Sequence, residues 1–410
     1  MKQSMLDESR IKSIYDMIMD RMKNIHISCF KGMEEPLFLI SEQYPGLWME
    51  HVYDSVLLAT LEPEYLKVAE NAIHLFIDRQ TADGQLPFRV MDGNRCKNEN
   101  VANFSQIQEC VSFLTLALEV YEMNQDPAFI SKVYEAGKKW DNWLRTHRMT
   151  SGRGLIEMFV GYDTGHDNSG RLSGMACKGN YAINGKIQNA DVLPPNDITP
   201  ILAVDMNCNF YGNQTALAEM ARILNKHDEA VFWEASAKDV KKKLVEYCYD
   251  DADAFFYDVD HTNKKRKYKS STIFHLFLEK VLDQDEEQNL IARIYKEHLK
   301  NPEEFWTPFP FPSMAVNDPS VEGHQNFNCW GYYTQALIVL RCIRWMDYYH
   351  WNEDFDYICE KWLETWTAHF DDIKLAQEVD PITGVPTGAS EWYSSCMLTY
   401  VYAARRLGIV

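Results

Sequence analysis

Residues 161–171 read GYDTGHDNSGR: two aspartates four positions apart flank a histidine, with glycines throughout and nothing to fill a core. Such a stretch has two uses. Gly, Asp, Asn and Ser are the usual turn formers, so it can close a surface turn. It can also present an acid to a substrate from a helical scaffold. A histidine between aspartates raises the thought of a metal site or a triad, but Asp163, His166 and Asp167 have no partnering Cys or HxxxH, and no serine sits in GxSxG. Neither a metal nor a cofactor is expected.

Other acids stand beside aromatics. Examples are YPGLWMEHVYDS (44–55), FWTPFPFPSMAVNDP (305–319), HQNFNCWGYY (324–333) and ASEWYSS (389–395). Flat rings cover the apolar faces of a pyranose and carboxylates accept its hydroxyl protons, so these clusters point to a small carbohydrate. The plainer alternative is that Trp and Tyr are core residues with satisfied polar tips. Four clusters, all between helical segments, weaken it.

Those segments are numerous. Helix-period apolar spacing predicts helices at 6–28, 64–80, 104–123, 127–147, 205–225, 228–249, 272–282, 285–299, 329–349, 352–370 and 390–407. VSFLTLALEVYEM (111–123) is apolar over most of its surface, whereas AVFWEASAKDVKKKLVEYCY (230–249) is amphipathic with its lysines on one face. No series of alternating strands and no glycine fingerprint is present, which argues against a doubly wound α/β domain. The helices look paired, and long polar-aromatic connectors separate them at 81–103, 150–203, 250–271, 300–328 and 371–390. Loops this long in a compact chain are usually functional or disordered, and their aromatic content favours function. The expectation is an all-α (α/α)6 toroid, two rings of helices with a funnel at one end, formed by residues 1–410 as one domain.

Composition narrows the setting. The 410 residues are 46% hydrophobic and carry 60 acids against 41 bases, a net charge of −19. Phosphate binding needs clustered Lys and Arg, and the densest basic run, KKRKYK (264–269), reads as a solvated loop. Nucleic acid is therefore not an expected partner. No run of 18 apolar residues spans a membrane, and the charged start lacks the apolar core of a signal peptide. The ten cysteines lack a CxxC pair and read as reduced thiols, so a cytoplasmic location is expected.

In order along nearly the whole chain, these motifs resemble the α-glycosidases of glycoside hydrolase family 63, in particular the compact mannosylglycerate and glucosylglycerate hydrolases, and more distantly trehalases. YPGLW and YDS resemble the family's YPGLWxWDS with extra residues between the halves. DGQLPF (83–88) resembles DGxxPh, and IQE (107–109) stands where a TQPP segment does. GYDTGHDNSGR resembles ESGxDNSP, and VDMNCNFYGNQTALAEMARIL (204–224) matches VDLNxxLYxxxxxLAxxAxxL. FWTPFPFPSMAVNDP resembles GxPSxxxxDP, NCWG (328–331) resembles NYWRG, and QEVDPITGVPTG (377–388) resembles EYxxPxTGxG.

The resemblance implies exo-acting hydrolysis of a short α-linked glucoside or mannoside with inversion, using one protonated and one ionised carboxyl about 6.5–9.5 Å apart. It assigns the general acid to Asp167 and the general base to Glu378, with Glu391, beside Trp392, as the competing base. Asp163 replaces the family's glutamate and reads as a substrate-binding or supporting carboxylate. Tyr44, Trp48 and Asp54 would line the subsite of the cleaved sugar, and Gln108 and Trp330 would touch the same ring. MEH (49–51) interrupts the first motif, so Asp54 or His51 fills the aspartate's place, and Gln335 stands where a tryptophan wall is expected. A sugar epimerase using paired histidines, an unsaturated-uronide hydrolase and a non-catalytic carbohydrate-binding toroid remain as alternatives on the same fold.

Overall fold

A computed structural model describes residues 6–175, 188–195, 197–321 and 330–410. Its helices are α1 (Glu8–Arg21), α2 (Val52–Leu61), α3 (Leu66–Ile77), α4 (Gly93–Cys96), α5 (Phe113–Asn124), α6 (Pro127–Arg148), α7 (Val204–Ile223), α8 (His227–Cys248), α9 (His275–Leu278), α10 (Gln288–Ile294), α11 (Ala336–Arg341), α12 (Asn352–His369) and α13 (Ser394–Arg406). Local chemistry sets their starts. Asp7 accepts a hydrogen bond from the Arg10 amide at 3.0 Å, and Asp126 accepts one from Ala128 at 2.8 Å just before Pro127.

Burial divides the helices into two kinds. In α8 only Ala230, Trp233, Ala237, Val240, Leu244 and Cys248 are buried, a single stripe at helical spacing. In α12 the stripe is Phe355, Ile358, Cys359, Trp362, Leu363 and Trp366. In α2, α7, α11 and α13, by contrast, nearly every residue is buried, so these helices are inner ones. The inner helices meet in chain order: α2 packs on α5, α5 on α7, α7 on α9, α11 on α13, and α13 returns to α2. Each inner helix has a neighbour next in sequence, as in α2 with α3, α5 with α6, α7 with α8, and α12 with α13. The result is a helix-rich fold consistent with an α/α toroid.

Most periodic segments emerge as helices, with three corrections. Of the described part of 329–349 only Ala336–Arg341 is α-helical, after a strand at Thr334–Gln335 and before a 3-10 turn at Cys342–Arg344. Residues 104–112 are not helical, because Gln108 has a φ of +50° and the Ile107 and Glu109 amides donate to Asp163 at 3.1 and 2.8 Å. A helix missing from the periodicity, α2, runs through the YDS motif. Short strands occupy the connectors. The largest group pairs residues 46–48, 89–91 and 101–103 antiparallel, with Trp48 opposite Arg89 and Arg89 opposite Asn103. Another pairs Thr334–Gln335 with Glu378–Val379. The eight described cysteines are free thiols; Cys177 and Cys329 lie outside the described residues. Among the described residues no helix is long and apolar enough to cross a membrane.

Candidate active site

The stretch 161–171 is fastened at both ends by buried arginine–carboxylate pairs. Arg148, the last residue of α6, donates to the two oxygens of Asp163 at 2.7 and 3.1 Å. The amides of Ile107, Phe159 and Val160 also donate to this carboxylate. At the other end Arg171 donates to Asp205, in the first turn of α7, at 2.6 and 3.2 Å, and to Asp258 at 2.7 Å. A 3-10 turn over Gly161–Thr164 then reverses at Gly165, whose φ is +72°. A Cβ at Gly165 would come within 3.0 Å of the Cys110 sulfur and 3.2 Å of a Glu50 oxygen, so glycine is required for both conformation and space. The turn carries Asp167 to the wall of a cavity of about 260 Å³.

Five other residues anticipated from sequence share that wall: Tyr44, Trp48, Gln108, Trp330 and His51, the alternative to Asp54. Tyr44 meets Trp48 edge to face at 5.2 Å. The Trp330 ring stacks on His166 at 4.0 Å, fixing an aromatic face beside the acid. Gln108 is held in its left-handed conformation, and backbone strain of this kind concentrates at functional sites.

Other expected residues lie elsewhere. Asp54 is in the first turn of α2, where it accepts hydrogen bonds from Ser394 and Ser395 and ties α2 to α13; it is absent from the cavity wall. Asp163 is consumed by Arg148 and backbone amides. Trp392 packs under Arg21, 4.3 Å from its ring, and against Phe370, so it and Glu391 lie off the wall. Glu378 is buried and accepts from Gln335 Nε2 at 2.7 Å and Thr387 at 3.0 Å; its neighbour Gln377 is the one that lines the cavity. Residues 324–329 of the HQNFNCWGYY cluster lie outside the described residues.

The three residues that interrupt the first motif form a 3-10 turn and put Glu50 and His51 on the wall. Glu50 is paired with buried Arg341 at 2.5 Å. His51 meets the Tyr393 hydroxyl at 2.6 Å, and burial, reinforced by Arg341, pushes its pKa down to about 3. Asp167 moves the other way, to about 7, through burial first and the Glu50 charge second. Arg89 also lines the cavity, 5.1 Å from the Trp48 ring and 5.0 Å from Phe88. Among the described residues its buried Nε has no partner, and burial lowers its pKa against an opposing charge from Cys96 alone. Glu50, Arg89, Gln377 and Tyr393 were missed from sequence; the interruption of the aspartate motif was the one local sign of Glu50.

Among the described residues one set has metal-like spacing: His166, Asp205 and His275 offer ligand atoms within 4.8 Å of one another. These groups already have work. Asp205 holds Arg171 and the Met206 amide, and His275 Nδ1 meets Asn209 Oδ1 at 3.1 Å. Two arginines, Arg171 and Arg341, further oppose a cation here, just as they and burial keep both imidazoles neutral. Of the set, His166 lies against the Trp330 ring.

A family model described as the mannosylglycerate hydrolase MGH1-like glycoside hydrolase domain matches residues 44–393. The GH63 mannosylglycerate hydrolase of Thermus thermophilus, solved with glucose, superposes with a TM-score of 0.70 at 14% identity over 95% of this chain and 99% of that one. The same enzyme solved with Tris and D-glycerate gives 0.69 at 13% identity, over 96% and 99%. Neutral trehalase Nth1 of Saccharomyces cerevisiae gives 0.65 at 14% identity, over 91% and 74%. These likenesses establish a shared fold. An uncharacterized protein of Borreliella burgdorferi is 25% identical over 130 residues, 32% of this chain; the match spans about a quarter (26%) of that relative's length.

Proposed function

Because this chain belongs to the mannosylglycerate hydrolase MGH1-like glycoside hydrolase domain family, we propose that it is an inverting, exo-acting α-glycosidase for a short glycoside, built as one (α/α)6 toroid. The observation that carries this reading is Asp167, a carboxyl with a pKa near 7, on the same wall as Tyr44, Trp48, Gln108 and Trp330. A carboxyl that stays protonated near neutrality can donate to a leaving glycosidic oxygen. The aromatic rings beside it offer a surface for a pyranose face.

For the base we retain Glu378, one residue from the cavity-lining Gln377 and with its pKa raised to about 7 by burial. Glu50 is the second candidate, since it lines the cavity itself. Arg89 refines the substrate: a half-buried guanidinium without an acidic partner suits a carboxylate on the aglycone, which favours a glycosylated small acid over a neutral disaccharide. A sugar epimerase is disfavoured, because a histidine with its pKa near 3, as in His51, cannot serve as the acid of a histidine pair.

The deciding experiment is a screen of α-linked disaccharides and glycosylglycerates with product anomers followed by NMR, on the native chain and on Asp167→Asn, Glu378→Gln and Glu50→Gln. Inverted product, with turnover abolished by Asp167→Asn and Glu378→Gln but kept by Glu50→Gln, is expected. Turnover kept by Glu378→Gln and lost with Glu50→Gln reassigns the base. Near-normal turnover in Asp167→Asn removes the reading altogether, and deuterium exchange at C2 without cleavage replaces it by epimerisation.

A further inference from the structure

A second cavity, of about 400 Å³, runs along one face of α2 from Tyr53 to Thr60 and of α5 from Thr115 to Glu122. It is distinct in its lining from the first cavity, which Glu50, His51 and Gln108 border just before these helices begin.

The polar centre of this cavity is Glu279, 7% exposed. Among the described residues its Oε1 is fully buried without a hydrogen-bond partner. The fold makes room for it: a Cβ at Gly212 of α7 would lie 2.0 Å from Glu279 Oε2. Buried carboxylates without hydrogen bonds are costly and rare, and each calls for an explanation. Arg344, and more weakly Lys280 and Arg341, act on it through charge, but burial outweighs them and none of them donates a hydrogen bond to it. Arg344 is paired with Glu119. Lys280 turns its ammonium over Tyr348, 4.5 Å from the ring centre. Exposed Glu122 adds a further negative charge at the rim, and Val56, Leu57, Leu116 and Ile343 supply apolar walls. The three carboxylates are not close enough together to form a metal-like cluster, since the one such set among the described residues is elsewhere.

We propose that this second cavity is a further ligand site, which binds a small aliphatic ammonium ion with its charged head on Glu279 and Glu122 and its carbon chain on the apolar walls. An ammonium supplies the donors that Glu279 lacks, and a neutral polyol does not supply the charge. The site is independent of the glycosidase reading.

Isothermal titration of the full chain with putrescine, and with the corresponding diol as neutral control, tests this near neutral pH. Saturable putrescine binding is expected, weakened by about tenfold or more in Glu279→Gln, as loss of a charged hydrogen bond implies, and by less in Glu122→Gln. Circular dichroism checks the fold of both variants, and rim residue Glu122 keeps the test alive should Glu279→Gln misfold. Asp167→Asn is expected to leave this binding unchanged. No putrescine binding, diol binding of equal strength, unchanged affinity in both glutamate variants, or loss of binding in Asp167→Asn overturns the proposal.

Discussion

Asp167 and Glu50 act on one another through charge. Protonated Asp167 and ionised Glu378 are the working forms and both titrate near 7, so turnover is expected to follow a bell centred near pH 7, with Asp167 setting its alkaline limb. Glu50→Gln removes the like charge that helps to hold the pKa up; the alkaline limb of the pH–rate profile then moves toward acid. An unmoved limb in a folded variant contradicts the coupling. Asp167→Asn is expected to lower kcat by roughly 10²–10⁴-fold with the circular dichroism spectrum intact. On the substrate side, Arg89→Met should raise KM for a glycosylglycerate while leaving KM for the matching glycosylglycerol nearly unchanged. Equal effects on both substrates would remove the argument for an acidic aglycone.

At the scale of elements, the loop depends on its fastenings. Gly165→Ala forces a side chain into the left-handed region at φ +72° and against Cys110; a loss of about 1–3 kcal/mol in urea unfolding is expected, together with reduced turnover. Asp163→Asn leaves buried Arg148 without its counter-charge, a change of the kind that costs about 3–5 kcal/mol. The motif GYDTGHDNSGR was legible as a site-bearing turn, yet its two aspartates could not be ranked from geometry. Their difference lies in Arg148, which the sequence places in an unrelated helix. Amphipathic helices such as α8 and α12 were readable because one stripe faces inward. The inner helix α2 was not, since VYDSVLLATL is buried nearly all round and its Asp54 sat inside an apparent substrate motif. Residues 104–112 misled in the other direction: their apolar spacing suits a helix, but their amides bond to Asp163 instead.

Across the whole molecule, several buried carboxyls share a raised pKa: Asp54, Asp167 and Glu279 near 7, and Glu109 near 8, each mainly through burial. In the unfolded chain they titrate near 4. Between those values the folded state binds more protons, so stability is greatest on the acid side of the interval and is lost as pH rises through it, by at most about 1.4 kcal/mol per unit for each group. Urea midpoints are accordingly expected to decline from about pH 5 to about pH 8; a rise would show that other groups dominate. The fastening of residues 161–171 carries a kinetic corollary at this scale. One rivet belongs to the exit of α6 and the other to the entrance of α7, so the acid keeps time with the seam between consecutive hairpins and not with the aromatic lining. Warming that seam would silence turnover while the remaining helices still give their full ellipticity, so the enzyme would fall idle before it melts.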